Sequence, residues 1–579
     1  MKPLTRLLLA PLLASMLLPA SPATAASEAD TLYAGLRSHR IALQRAEQRL
    51  EEARAAFLDV PLSRAGVSLS LAKMAFDTAN LMLIMNQDLE GARHWMAKGE
   101  GYLTEARMSV VPSRGVEARG MLIDAGTLPK TEAGVVALVD KLAKAHFNVL
   151  LPEVFRRGYT IYESSYTDRD PEFEGAPDLL AVLVREAHKH GMEVHPWIWA
   201  FRVKSPGFGD PVLSRLPALA ARKVGVESRF LSPAHPQARE YLYGLIRELT
   251  DRYGTDGLLL DYIRYDETIQ EDDISKTEFA LAYRARHGKL PPAVIPPNSP
   301  LMVEWQLWRE QQVNTAVQEI SRMLKANHRR FPIGVAVFRG EAYSRLQKMQ
   351  HWRHWSNNRW VDFAAPMLYT SKPEDLSRWI GWESEQGTRD NLLYPILGVH
   401  RFAHTDNLVE QLELLNAEHE PGVMIFALAH FDMKLLDELA AGPFRTPAAL
   451  PHRNLMRASR RTLAEINGYL SRVFTRGDFE TAASARMLHR EITAVAQSLP
   501  LHELPYWQND ALAERLGQVR ALAGDMPWPA PVLKEVQHRL DYAIALVKAN
   551  RFQVEGTRYV PTSLPPIKVL EEQRHGPQD

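Results

Sequence analysis

The stretch from Leu231 to Glu267, LSPAHPQAREYLYGLIRELTDRYGTDGLLLDYIRYDE, constrains the fold more than any other part of the chain. His235-Pro236 opens a helix, Leu242, Leu245, Ile246 and Leu249 keep the helical period, and Gly254 closes it. Gly257-Leu258-Leu259-Leu260 then runs apolar without alternation. A strand of that kind is covered on both faces, as in a parallel sheet wrapped by helices. Asp261, Tyr262, Arg264 and Tyr265 crowd its C-terminal end, which is where barrels of parallel strands carry their chemistry.

The same pattern recurs from Arg119 to Phe444. Strands are predicted at Gly120–Asp124, Asn148–Pro152, Glu193–Trp199, Gly257–Tyr262, Ile333–Phe338, Asp362–Tyr369, Tyr394–Val399 and Val423–Leu428, with amphipathic segments between them. Eight such units in about 325 residues have the count and size of an α/β fold of the (β/α)8 TIM barrel kind. A doubly wound sheet is the other arrangement open to this pattern. It would normally place a glycine-rich phosphate turn after the first strand, where this chain has DAGTLPKTEAG. The stretch after Tyr265, with LPPAVIPPNSP, is predicted to be an extended loop at the barrel mouth.

The flanks read differently. MKPLTRLLLAPLLASMLLPASPATAA has a basic start, an apolar core from Leu7 to Leu18 and a small-residue cleavage motif, Ala23-Thr24-Ala25. That is a secretory signal peptide, and it implies a periplasmic or secreted protein. No later segment looks long and apolar enough to span a bilayer. The expected division is a signal peptide at 1–26, an N-terminal α-helical region at 27–112, the barrel at 117–445, a C-terminal α-helical region at 452–565 and a polar tail at 566–579. The helical flanks suit scaffolding or docking of a protein partner. Lysine plus arginine equal aspartate plus glutamate at 69 each, so nothing in the balance favours nucleic acid. The chain has no cysteine, which excludes disulfides, thiolate metal sites and a cysteine nucleophile.

The barrel assignment gathers the strand ends into one place. They supply Asp124, Glu153, Arg156, Arg157, Tyr162, His195, Trp197, Trp199, Arg202, Asp261, Tyr262, Arg264, Arg339, Glu341, Met367, Tyr369, His400 and His430. Aromatic faces stack on sugar rings, while Arg, Asp and His bind hydroxyls, so the mixture suits a polysaccharide or oligosaccharide. Cleaving a glycosidic bond needs two carboxyl groups. Asp261 is the first choice for one. Glu341, just beyond the fifth strand, leads for the other, ahead of Glu153 and then Asp124. Glu153 could instead pair with Arg156 or Arg157, Glu341 could be an exposed loop residue, and Trp197 and Trp199 could pack the core. Asp256 is expected to be structural at the base of its strand. A metal-dependent hydrolase would need His195, His400, His430, Asp261 and Glu341 to converge, but no HExxH helix supports it. No GxSxG elbow, P-loop or kinase signature is present.

In order along the chain, RGMLID, FNVLLPEVFRRGYTIYESS, LVREAHKHGMEVHPWIWAFRV, LSPAHPQAREYL, GTDGLLLDYIRYD, HWSNNRWVDFAAPMLYT and GVMIFALAHF resemble the glycosyl-hydrolase-like ten family. The resemblance runs from about Arg119 to Phe431. It implies a glycosidase-type barrel and a carbohydrate-directed hydrolytic role; separately, no organic cofactor and no metal are expected. It carries the site onto Asp261, Tyr262, Arg264, Arg156, Arg157, His195, Trp197 and Tyr369. The seventh strand ends in Gly398-Val399-His400 and offers no Glu. The arrangement is therefore closer to amylase-type barrels, with an Asp after strand four and a Glu after strand five, which is what ranks Glu341 first. The sequence thus predicts a glycoside hydrolase with catalytic Asp261, Glu341 and Glu153. Asp124, Arg156, Arg157, Tyr162, His195, Trp197, Trp199, Tyr262, Arg264, Tyr369 and His400 would bind substrate. A polysaccharide-binding barrel without catalysis is the alternative.

Overall fold

The computed structural model describes residues 22–221, 229–266, 272–327, 330–384, 392–402, 406–499 and 506–555. The apolar core of the leader lies outside them, and the cleavage motif falls in the first turns of helix α1 (Pro22–Ala55).

The chain divides into two compact units. One comprises residues up to Leu50 together with Ser63–Ala106, and is built from most of α1, α2 (Leu62–Leu81) and α3 (Leu89–Val110). Leu32, Ala79, Leu83, Ala92 and Met96 form its core. One expectation needs correcting. Leu62–Met85 is long and apolar enough to cross a membrane by length and composition, at a mean hydropathy of 1.3. Its small residues Ala65, Ala72, Ala75 and Ala79 are nonetheless buried within the module, which leaves the larger Val67, Leu71, Met74 and Leu81 exposed.

The other unit holds Glu51–Leu62 and everything from Arg107 onward. Its centre is a closed sheet. In chain order the elements are β1 (Ala118–Ile123), α4 (Glu132–Lys144), β2 (Val149–Arg156), α5 (Leu179–Lys189), β3 (Glu193–Val194 and Trp197–Trp199), α6 (Pro236–Tyr253) and β4 (Leu258–Asp261). There follow α7 (Asp273–His287), α8 (Pro300–Asn327), β5 (Ile333–Phe338), α9 (Glu341–Lys348), α10 (Trp352–Asn357), β6 (Phe363–Leu368) and α11 (Pro373–Ser384). β7 (Ile396–Gly398), α12 (Asp406–Ala417), β8 (Gly422–Phe426) and α13 (Leu435–Ala441) complete the series. Each strand pairs in parallel with the next, and β1 pairs with β8, so the fold is a (β/α)8 barrel. Within β3, Pro196 interrupts the ladder, as a residue without an N–H must.

Parity along the strands separates two layers. Leu258 and Leu260 join the cluster packed under the helices, while Leu259 joins the interior cluster with Leu122, Leu151, Trp197, Ala336 and Met424. The segment after Tyr265 differs from the expected extended loop. α7 forms inside it because Asp272 caps the helix, its carboxylate accepting from the Ser275 N–H at 3.0 Å.

After the barrel come α14 (Leu455–Arg476), α15 (Phe479–Ser498), α16 (Tyr506–Gly524) and α17 (Ala530–Glu555). They share their own core, and Leu455, Ala458, Tyr542 and Leu546 also enter the barrel's interior cluster from its N-terminal end. The Tyr542 hydroxyl donates to the Val116 carbonyl at 2.6 Å. These helices therefore form the barrel floor.

Arg119 fixes β1 to the chain that leaves the barrel. It is fully buried, donates to Glu117 at 2.8 Å and to the carbonyls of Thr446 at 2.7 Å and Arg114 at 2.8 Å, and lies 4.5 Å over the Phe444 ring. Arg119→Met strands those acceptors and leaves Glu117 with Arg114 alone. We expect a loss of about 3–5 kcal/mol in unfolding free energy, measured by urea denaturation, with the fold otherwise retained.

Candidate active site

A cavity of about 430 Å³ opens at the C-terminal ends of the strands. Its carboxylates are Asp124 after β1, Glu153 in β2, Asp261 at the end of β4, and Asp266. Trp197 and Trp199 of β3, Tyr262, Phe338, Tyr369 and Phe426 supply apolar wall, and Arg202, Arg229 and Arg264 supply cations.

Asp261 is held by two donors. The Trp197 indole N–H reaches Oδ2 at 3.0 Å, and the Tyr262 backbone N–H reaches Oδ1 at 2.7 Å. Tyr262 adopts a left-handed φ of 48°. Burial pushes the Asp261 carboxyl up, against the pull of those two hydrogen bonds and of Arg264 and Arg202. Trp197 is only 4% exposed, so its ring is core and its N–H serves Asp261. Trp199 faces the cavity, 4.9 Å from the Tyr262 ring. Arg202 lies over both rings and donates to the Tyr262 hydroxyl at 2.8 Å.

Glu153 is 4% exposed. Its Oε2 accepts from the Ala125 N–H at 3.1 Å and lies 3.6 Å from Arg156 Nη1. Burial pushes its carboxyl from an ordinary 4.5 up to about 7, and nearby Asp124 adds to the rise. Arg156 oppose it only in part, because that guanidinium also serves Asp170 at 3.2 Å and Glu172 at 2.9 Å. Asp124 itself accepts from the Ala429 N–H at 3.2 Å, linking β1 to the chain after β8.

One expected catalytic residue and several expected substrate ligands are placed elsewhere. Glu341 does not line the cavity. It begins α9, with its carboxylate 3.4 Å from His351 Nε2 and 3.3 Å from Arg353 Nε. Burial would raise its pKa, but the His351 hydrogen bond and the Arg353 charge hold it below the usual carboxylate range, which suits a structural anion and not a proton donor. Arg156 and Arg157 stand behind Glu153, and Arg157 bonds Asp170 at 3.3 Å and Glu172 at 3.1 Å. Tyr162 is buried edge-on to Tyr253 at 5.2 Å. His195 points into the barrel floor, 2.7 Å from Glu193 Oε2. His400 sits behind the wall, edge-on to Tyr369 at 5.1 Å and Phe426 at 5.4 Å. The five residues a metal hydrolase would need are therefore not gathered.

Sequence reasoning left Phe338 and Phe426 out of the site, although both are the last inward residues of their strands, a parity that could have found them. Arg229 and Phe230 arrive on the long β3–α6 connection and carry no such signal.

Aromatic walls, buried carboxyls and guanidinium groups at the mouth of a parallel barrel define a glycosidase-type barrel. Residues 127–389 match the family described as Glycosyl hydrolase-like 10. The matched segment spans β2 to β6, and the matching family is the one the motifs resemble. The glycosyl hydrolase YngK of Bacillus subtilis (strain 168) is 22% identical over 370 residues, 55% of this chain and 67% of that protein. The glycosyl hydrolase DigH of Escherichia coli (strain K12) is 23% identical over 222 residues, 33% of this chain; the chain spans about half of DigH's length, 46%. Among solved structures, the PgaB (BpsB) glycoside hydrolase domain from Bordetella bronchiseptica is 16% identical, with a TM-score of 0.45 over 56% of this chain and 99% of that one.

The raised Glu153 pKa has a stability consequence. The folded state holds this proton up to about 7 and the unfolded chain releases it near 4.5, so folding binds a proton between those values. The Glu153 contribution is complete below 4.5 and is lost as pH rises through about 7, an effect of up to about 3 kcal/mol. Glu153→Gln should flatten this fall. Urea midpoints of wild type and variant from pH 4 to 8 should diverge steadily with pH, the wild type falling relative to the variant.

Proposed function

We propose that this protein is an exported glycoside hydrolase that cleaves glycosidic bonds in a bacterial polysaccharide, either an exopolysaccharide or a cell-wall glycan. The observation that carries the reading is the pair of carboxyls in one cavity, buried Glu153 and half-buried Asp261, set in different surroundings. In the sheet register Glu153 lies beside Trp197, whose indole N–H bonds Asp261. Glu153, proton-bearing near neutral pH, protonates the leaving glycosidic oxygen. Asp261, oriented by an indole and an amide N–H, attacks the anomeric carbon or stabilises its positive charge. Trp199, Tyr262 and Tyr369 offer stacking faces, and Arg202, Arg264 and Asp124 meet hydroxyls. The leader sequence supports export to the periplasm or beyond.

The test is release of reducing ends by the protein from Ser27 onward, acting on a panel of bacterial polysaccharides. Asp261→Asn and Glu153→Gln should each lower turnover by about 10²- to 10⁴-fold, while Glu341→Gln keeps turnover within severalfold and lowers stability. Loss of activity in Glu341→Gln with Glu153→Gln active would return the acid role to Glu341. Binding without release by any protein in the set would favour a non-catalytic polysaccharide-binding barrel.

A further inference from the structure

The barrel floor holds a second constellation, away from the cavity. Glu193 opens β3, His195 follows it, and His452 arrives on the turn that leads into α14. Glu193 Oε2 lies 2.7 Å from His195 Nε2 and 2.9 Å from His452 Nε2. These three donor atoms all lie within 4.8 Å of one another, and the side chains are at most 2% exposed. Among the described residues, this is where a carboxylate and two imidazoles turn their ligand atoms onto one point.

We propose that Glu193, His195 and His452 form a binding site for a divalent transition-metal ion of the zinc class, tying the turn before α14 to β3. Two imidazole nitrogens and one carboxylate oxygen are a ligand set for zinc and its neighbours, and not for calcium or magnesium. The present separations admit an ion after an opening of a few tenths of an ångström. The surroundings are arranged for it. Tyr394 OH lies 3.0 Å from His452 Nδ1 and so turns Nε2 toward Glu193. Arg453 pairs with Glu193 Oε1, leaving Oε2 as a single-oxygen ligand. Asp256 also meets Arg453, at 3.3 Å, so two carboxylates share one guanidinium, and the other Asp256 oxygen meets His188 at 2.8 Å. Phe363 lies 6.0 Å from the His195 ring and 5.5 Å from the His452 ring and packs against both imidazoles, and a water would supply the fourth ligand. A Cβ at position 257 would come within 2.6 Å of the His195 ring, so Gly257 makes the space that the imidazole occupies. His195 Nδ1 has no hydrogen-bond partner, and this should weaken binding by about 10- to 100-fold relative to a site with both imidazoles braced.

The experiment uses the full untagged chain, dialysed against chelator and titrated with Co²⁺ and Zn²⁺. One Co²⁺ per chain with the intense visible bands of a four-coordinate site is expected for wild type and for Asp261→Asn, and neither for Glu193→Gln nor for His452→Gln. Zn²⁺ should raise the thermal midpoint of wild type and Asp261→Asn and leave the two floor variants unmoved. Weak six-coordinate cobalt bands, or zinc uptake that Glu193→Gln leaves unchanged, would overturn the proposal and make the trio a hydrogen-bonded latch only. If both floor variants fail to fold, the wild-type cobalt spectrum decides alone, since surface histidines do not give four-coordinate bands. Neither result bears on hydrolysis.

Discussion

Closure of the barrel depends on how near β8 can approach β1. Ala118 and Gly422 are partners in that pairing, and a Cβ at position 422 would lie 2.6 Å from the Ala118 Cβ and 2.7 Å from the Tyr394 ring. Only glycine allows the contact. With the seam closed, the inward residues of every strand share one interior, and an open sheet's two edges no longer exist. The mouth follows from this. Asp124 after the first strand and Phe426 at the end of the last reach the same cavity as Asp261, and Asp124 takes the Ala429 N–H across the seam.

Within that interior the cations decide what each carboxylate can do. Glu193 in the floor is ringed by His195, His452 and Arg453, so despite burial its carboxyl is held far below the ordinary range. Glu341 behind the wall has His351 and Arg353. Glu153 has one guanidinium at 3.6 Å, shared with two other carboxylates, and burial outweighs it. A general acid must keep its proton near working pH, and of these glutamates only Glu153 has surroundings that permit it.

The eight strands were legible because burial on both faces writes an unbroken apolar run, and parity correctly turned Trp197, Trp199 and Asp261 inward. Parity does not report depth. His195 shares the parity of Trp197 but lies two residues lower, which in a strand is about 6.6 Å and here separates mouth from floor. Turns were less legible still. Gly340, at a φ of 70°, swings the chain into α9 and carries Glu341 toward His351. Arg157 at 55° and Gly158 at 88° fold a hairpin that brings Arg156 and Arg157 onto Asp170 and Glu172, carboxylates no strand pattern could have placed.

Trp197 shows how burial assigns an indole a task that residue type alone does not reveal. An indole at a barrel mouth reads as a platform for a sugar ring, yet its ring is packed 6.0 Å from Phe426 and its N–H is spent on Asp261. A buried indole N–H needs an acceptor, and a buried carboxylate needs donors, so each supplies what the other lacks. Their bond fixes Asp261 Oδ2, while Oδ1 is fixed by the amide of Tyr262. Trp199, one residue pair further out, turns its ring to the cavity, braced by Tyr262 and Arg202. The two tryptophans of one strand thus differ with depth in the barrel: Trp197 orients a carboxylate, and Trp199 turns its ring to the cavity.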